Sequence, residues 1–163
     1  MLIMGSKKAI LDYKSALLEA QKHCAYQERS QQEIRNKLYE WGLHSAEVEN
    51  AIVELIGADF INEERFAIQL ASGKFRIKHW GKVKITQALK LHKISPYCIK
   101  KALQQIPDDD YEKSLIKILE KKRIATAGKL TPLKARKLAH FAQSRGYESN
   151  LIWKVLKMDA FDE

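Results

Sequence analysis

Glycine and proline are scarce in this chain, seven and three residues out of 163. That excludes a turn-rich β architecture, in which short strands need frequent tight turns. Cysteine is nearly absent as well: Cys24 and Cys98 stand alone, with no second cysteine at metal-ligand spacing. Two unpatterned thiols and no export signal fit the reducing cytoplasm. Nowhere does an apolar run approach the ~18 residues of a membrane span, and Met1-Leu2-Ile3-Met4 is too short for the apolar region of a signal peptide. The signatures of catalysis are missing too. There is no phosphate-cradling glycine loop, no HExxH and no glycine-flanked nucleophilic serine. The histidines at 23, 44, 79, 92 and 140 are not spaced as a metal set, and His23 beside Cys24 points to a different face of any helix. No enzyme, cofactor or metal is therefore expected.

One further absence is local. Between Glu64 and Asp108 the chain carries no acidic residue at all. The overall charge of +9 is consequently uneven: residues 1–56 hold seven basic and eight acidic groups, 57–106 hold ten and three, and 107–163 hold twelve and nine. A surface built only for solubility mixes its signs. A stretch of one sign attracts nucleic acid, an acidic protein surface or anionic lipid.

What the chain does have is a repeat. Ile34, Leu38, Gly42-Leu43, Val48, Ala51-Ile52 and Leu55 recur as Ile85, Leu89, Lys93-Ile94, Ile99, Ala102-Leu103 and Ile106, and again as Leu138, Ala142, Gly146-Tyr147, Ile152 and Val155-Leu156. Such periods mean one supersecondary unit used repeatedly, and arrays of this kind present an extended surface to a partner rather than a pocket. The spacing is helical throughout. It predicts helices over 8–28, with Ile10, Leu11, Leu17, Leu18, Cys24 and Ala25 as apolar positions, and from about Ser30 to Trp41, opened by the capping box Ser30-Gln31-Gln32-Glu33 and stopped by a left-handed Gly42. A third runs from Ser45 to near Ile56-Gly57. A fourth runs from Asn62 to His79, burying Phe66, Ala67, Leu70, Ala71 and Phe75 and broken by Gly81. Then come Lys82–His92, a helix opened by Ser95-Pro96, and one from about 109 to 123 in which the Asp108-Asp109-Asp110 run reads as a cap rather than a nuclease-type metal cluster. A loop over 124–130 precedes a helix opened by Thr131-Pro132 and stopped at Gly146, and a last helix covers about 149–158 before a fraying tail from Asp159 to Glu163.

The expected fold is all-α: three tandem three-helix repeats, at 1–56, 57–107 and 108–163, forming an elongated, curved array. The second copy departs from the pattern at Lys93, where the others have glycine; a left-handed lysine there costs on the order of 1 kcal/mol.

The densest basic stretch runs Lys74-Phe75-Arg76-Ile77-Lys78-His79-Trp80-Gly81-Lys82-Val83-Lys84. Cations at a helix C-terminus complement its dipole, which accounts for Arg76 and Lys78 without any function. Lys82 and Lys84 sit at a helix start, the wrong end for positive charge but the right end for an incoming phosphate or carboxylate. Trp41 and Trp153 read as packing. Trp80, among lysines, either stacks on a base or a partner surface or seals the helix joint. A second cluster, Lys129, Lys134, Arg136 and Lys137, occupies the matching place in the third copy, while in the first copy Arg29, Arg35 and Lys37 are diluted by Glu28 and Glu33.

Read together, these strings resemble the RecX family of recombination regulators. The resemblance is carried by Arg29-Ser30 with Glu33-Ile34, Lys37-Leu38 and Gly42; by Asn62-Glu63-Glu64-Arg65-Phe66-Ala67 followed by Trp80-Gly81, Lys84-Ile85 and Leu89; and by Lys137-Leu138 with Arg145-Gly146-Tyr147. It extends over residues 17–158. Asn62 stands where the family often has an acid, and Lys93 where it often has glycine. The resemblance implies an all-helical, non-enzymatic modulator that lodges in the groove of the RecA filament on single-stranded DNA. It implies suppression of ATP hydrolysis, strand exchange and coprotease activity, and hence a role in recombination, repair and the SOS response. The expected contact set is Lys74, Arg76, Lys78, Trp80, Lys82 and Lys84, with Lys134, Arg136 and Lys137 as a second. The expected partners are the RecA filament and, weakly and without sequence preference, single-stranded DNA. The protein is expected to be a cytoplasmic monomer with no membrane attachment. The rival reading is a stand-alone helical DNA-binding module of helix-turn-helix type, against which no turn carries an obvious set of base-reading side chains.

Overall fold

The computed structural model describes residues 9–126 and 128–159, with the backbone alone for Met158 and Asp159. The apolar start at Met1–Met4 and the tail beyond Asp159 lie outside them. Among the described residues there are nine helices and no strand. They are α1 (Tyr13–Tyr26), α2 (Gln31–Glu40), α3 (Ser45–Gly57), α4 (Glu63–Lys78), α5 (Lys82–Leu91), α6 (Pro96–Gln104), α7 (Asp108–Ala125), α8 (Pro132–Ser144) and α9 (Ser149–Asp159). The helix count and order are those the hydrophobic spacing predicts.

The starts follow the capping chemistry. Ser30 accepts from the Glu33 amide at 3.1 Å while the Glu33 carboxylate takes the Ser30 amide at 2.8 Å, a closed capping box. Asn62 does the same half-job for α4, accepting from the Arg65 amide at 2.9 Å, so the amide serves where an acid is common. Ser95 and Thr131 cap α6 and α8, each followed by proline in the first turn. Two starts differ from expectation. α1 begins at Tyr13 because Asp12, four residues inside the expected start, accepts from the Ser15 amide and fixes the N-cap there. α7 is capped by Pro107, so Asp108, Asp109 and Asp110 are not caps but the exposed first turn, where their charge faces the positive end of the helix dipole.

The stops teach more. Five helices end on a left-handed residue: Gly42, Asp59, His79, Lys93 and Gly146, with φ of 91°, 61°, 55°, 56° and 94°. Behind three of them the next amide bonds back into the last turn, Leu43 to Leu38, Phe60 to Leu55 and Tyr147 to Ala142. That satisfies carbonyls the helix leaves open. Lys93 takes the left-handed conformation its place in the repeat demands. Gly81, expected as the breaker of α4, is not the stop. His79 is, and the Trp80 amide reaches back to the Lys74 carbonyl at 3.2 Å.

The chain forms two compact units. The first holds α1, α2, α3 and the opening of α4 as far as Phe66, together with His92–Ile94. Its core is Ala16, Ala20 and Cys24 of α1 against Ile34, Leu38, Leu43, Val48, Ala51, Ile52, Leu55 and Ile61. The small residues let α1 lie close, so its buried seam runs through Ala16 and Ala20 while Ile10, Leu18 and Ala25 are exposed. Burial pushes the Cys24 thiol up to about 11, helped by the nearby charge of Glu28, which leaves it an inert packing group. Ser30 is fully buried and shares a 3.1 Å hydrogen bond with Nδ1 of His92, whose ring lies 5.0 Å from that of Phe66.

The second unit runs from Ala67 to Leu91 and from Ser95 onward. Ala67, Ala71 and Phe75 of α4, Ile85 and Leu89 of α5, Tyr111, Leu115 and Leu119 of α7, and Leu138, Ala142, Tyr147, Ile152, Val155 and Leu156 around the α8–α9 turn form its interior. Of the shared apolar repeat positions only Leu103 escapes full burial, while Gly42 and Lys93 at the turns are exposed. Each fully buried Leu, Ile or Val contributes about 1.5–3 kcal/mol, so the repeat is above all a core pattern.

Candidate functional site

The joint between α4 and α5, where the basic stretch lies, is built as a backbone weld. The Gly81 amide donates to the Arg145 carbonyl at 2.8 Å and the Val83 amide to the Gly146 carbonyl at 3.0 Å. A methyl group on Gly81 would sit 2.2 Å from the Gly146 backbone, and one on Gly146 would sit 2.3 Å from Cβ of Lys84. Gly81 is therefore glycine for close approach. Gly146 is glycine for that reason and for its positive φ as well. The Lys82 amide donates to the Tyr111 hydroxyl at 2.9 Å, and that hydroxyl donates in turn to Glu148 at 2.5 Å. Burial and then the Glu148 carboxylate raise the Tyr111 phenol far above its ordinary range, and burial raises that of Tyr147. Both remain neutral phenols at any physiological pH. The Phe75, Tyr111 and Tyr147 rings stack in succession at 6.0 and 5.0 Å, and Ser114 and Tyr147 share a hydrogen bond of 3.0 Å.

This weld corrects one expectation. The first amides of α5 face Tyr111 and the Gly146 carbonyl, so the start of α5 is occupied by the protein itself and does not present a free anion seat.

The weld also sorts the basic side chains. Lys74 and Lys84 converge on Trp80, with Nζ 4.8 and 4.5 Å from the ring centroid. These cation–π contacts, at about 0.5–1 kcal/mol each, hold the half-buried indole in place and keep two positive charges beside it. Trp80 thus seals the joint and carries cations at once. Lys82 turns inward, 4.7 Å over the Tyr111 ring and 3.5 Å from Asp108, and among the described residues is the one member of the first set in an ion pair. Arg76 and Lys78 are exposed on the last turn of α4 and make no ion pair among the described residues. In the second set, the Lys134 amide is capped by Thr131, and Arg136 and Lys137 are exposed on α8.

Two groups of cations lie outside the expected sets. On α6, Lys100 is exposed and Lys101 half-buried, the latter 5.6 Å over the ring of Tyr97. On α7, Lys113 and Lys117 line an open groove with Arg76 and His79. The available sequence signal was their four-residue spacing, which on an amphipathic helix is also that of a solvated face. What makes them more than that is α4 lying alongside.

No group of three or more His, Cys, Asp or Glu is arranged to hold a metal among the described residues, and no described helix is long and apolar enough to cross a membrane.

The family model for the first three-helix domain of RecX matches residues 16–55, and that for the second three-helix domain matches 62–103. Between them they take in just over half of the chain. The chain belongs to the RecX family. The crystal structure of RecX from Lactobacillus salivarius has the same fold over 90% of this chain and 95% of its own, at 20% identity and a TM-score of 0.79. A crystal structure described as regulatory protein RecX covers 89% of this chain and 73% of its own, at 19% identity and a TM-score of 0.81. At that identity the likeness concerns fold, and it extends to the third group of helices that the two family models leave unmatched. No curated protein sequence matches. RecX membership makes the protein a RecA regulator in general terms, from a regulatory rather than catalytic family.

Proposed function

We propose that this RecX-family chain is a non-enzymatic inhibitor of the RecA filament on single-stranded DNA. It suppresses ATP hydrolysis, strand exchange and coprotease activity, and acts in the cytoplasm as a monomer during recombination, repair and the SOS response. The observation that best supports this is the state of the cations around the α4–α5 joint. Lys74, Arg76, Lys78 and Lys84 are held at a rigid backbone weld and form no ion pair among the described residues, so their charge is presented at a fixed place. Docking on a filament rewards such a surface, because contacts repeated along a polymer add avidity to individually weak ones. Three helical repeats, bounded near residues 56 and 107, supply the length for it. Lys74, Arg76, Lys78, Trp80 and Lys84 form the first contact set, with Lys134, Arg136 and Lys137 as a second; Lys82 serves mainly to lock the joint.

The test is RecA-dependent ATP hydrolysis on single-stranded DNA, titrated with this protein. Inhibition near stoichiometric amounts is expected; none at a several-fold excess would sink the proposal. Preference for one duplex sequence over random DNA would instead favour a stand-alone DNA reader.

A further inference from the structure

Beside the α4–α5 joint, within the second unit, α4 and α7 enclose an open groove of about 300 Å³. Its walls carry Arg76 and His79 from the end of α4 and Lys113 and Lys117 from α7, and Phe75, nearly buried, lies at its base. His79 is the residue whose left-handed φ of 55° stops α4, so the turn that ends the helix also sets an imidazole at the groove's edge. Among the described residues none of the four basic groups is in an ion pair. The one acidic lining residue, Asp110, lies in the first turn of α7, where the helix dipole offsets its charge. Lys113, Lys117 and Lys121 are all exposed and follow one another at four-residue intervals. That sets them about 6 Å apart along the helix axis, on the scale of the phosphate repeat of an extended strand.

We propose that this groove is a phosphodiester-binding track. A single-stranded nucleic acid backbone lies along α7, its phosphates meeting Lys113, Lys117 and Lys121 on one side and Arg76 and His79 on the other. Charge complementarity identifies the occupant. A guanidinium offers paired donors to a phosphate, and a row of flexible ammonium groups at regular spacing follows a uniformly charged polymer better than the irregular carboxylates of a protein surface. The track rests on the proposed role for the strand's place in a RecA filament, but it binds the strand without RecA, so the two ideas fail separately.

The experiment measures anisotropy of a labelled oligothymidylate with the full-length protein alone, over a range of salt. Wild-type protein should bind with a steep salt dependence. Lys113→Gln/Lys117→Gln should weaken binding about tenfold near ~0.1 M salt and flatten the log–log salt slope by about 1.4, two contacts at roughly 0.7 each for a single strand. Lys100→Gln/Lys101→Gln removes the same charge from α6 and should change binding less than about twofold, with the slope unmoved. Equal losses from the two pairs would overturn the track, since general attraction would then explain binding. So would no binding by the wild type, or polyglutamate displacing the strand as well as an unlabelled strand of equal charge. Circular dichroism melts of both variants show that each is folded. If the wild type binds as expected but leaves RecA hydrolysis untouched, the track stands and the inhibitory role falls.

Discussion

The two units of this chain use the same helical pattern and opposite electrostatics. In the first, four cations are matched within the unit: Lys22 with Glu19, Arg35 with Glu49, Lys37 with Glu40, and Arg65 with both Glu28 and Asp59. In the second, Lys82 pairs with Asp108 and Lys154 with Glu112, both close to the α5–α7–α9 packing, while among the described residues Lys74, Arg76, Lys78 and Lys84 around the α4–α5 joint form no ion pair. The first unit spends its charge on its own surface. The second leaves charge unmatched around a joint of unusual closeness, where glycine backbones touch and a tyrosine caps a helix. Fixed position and outward charge together are what an electrostatic docking surface requires, and the α4–α5 joint of the second unit brings them together.

The sharpest way to break this comparison is through the glycines. Gly81→Ala places a methyl group inside the Gly146 backbone, and Gly146→Ala drives one into Lys84 while forcing alanine to a φ of 94°. Either should cost about 3 kcal/mol or more, read as a fall in the urea midpoint. Gly42→Ala, at a φ of 91° in the first unit, meets only the Ile10 side chain at 3.1 Å and should cost about 1–2 kcal/mol. If all three cost the same, the weld is not special. Next in size is Ser30→Ala, which opens the capping box of α2 and leaves His92 without its partner. A loss of about 1–2 kcal/mol is expected on chemical denaturation.

Smaller effects sharpen the contrast. Lys93→Gly relieves the left-handed lysine and should raise stability by up to about 1 kcal/mol, measured as a higher melting temperature. Arg35→Ala should cost less than about 1 kcal/mol, because the pair with Glu49 is partly exposed. The Arg35 guanidinium holds the Glu49 carboxyl below its ordinary value. A depressed carboxyl stabilises the fold above its unfolded pKa and stops doing so as pH falls through its folded one. The Arg35→Ala penalty should therefore be full at neutral pH and fade as the solution is acidified below the ordinary carboxylate range.

Most of the fold was legible because its signals are local. Apolar residues at helical spacing, Ser30 with Glu33, Ser95-Pro96 and Thr131-Pro132 each act within one or two turns, and each is found where the pattern places it. Misreadings arose where a residue answers to something distant in sequence. Gly81 looks like a helix stop because glycine usually serves that way; its true constraint is Gly146, 65 positions on, which no local pattern carries. His79 and Asp59 stop helices without being glycine. The basic stretch was equally plain as composition, but its sorting was not: that Lys82 turns onto Tyr111 while Lys74 and Lys84 gather at Trp80 depends on α7 packing against α5. Lys113 and Lys117 stand at the four-residue spacing of any solvated helix face, and only the packing of α4 alongside, which no local pattern carries, makes them part of a groove.

The central claim is that outward charge in the second unit, and not basic charge in general, acts on RecA. Charge reversal tests it with matched pairs: Lys74→Glu/Lys84→Glu beside Trp80, and Lys22→Glu/Lys37→Glu in the first unit, with both proteins shown to melt cooperatively. In RecA-dependent ATP hydrolysis on single-stranded DNA, the first pair should raise the concentration needed for half-inhibition by at least about tenfold and the second by less than about twofold. Equal losses from the two pairs, or inhibition untouched by the first, would contradict it.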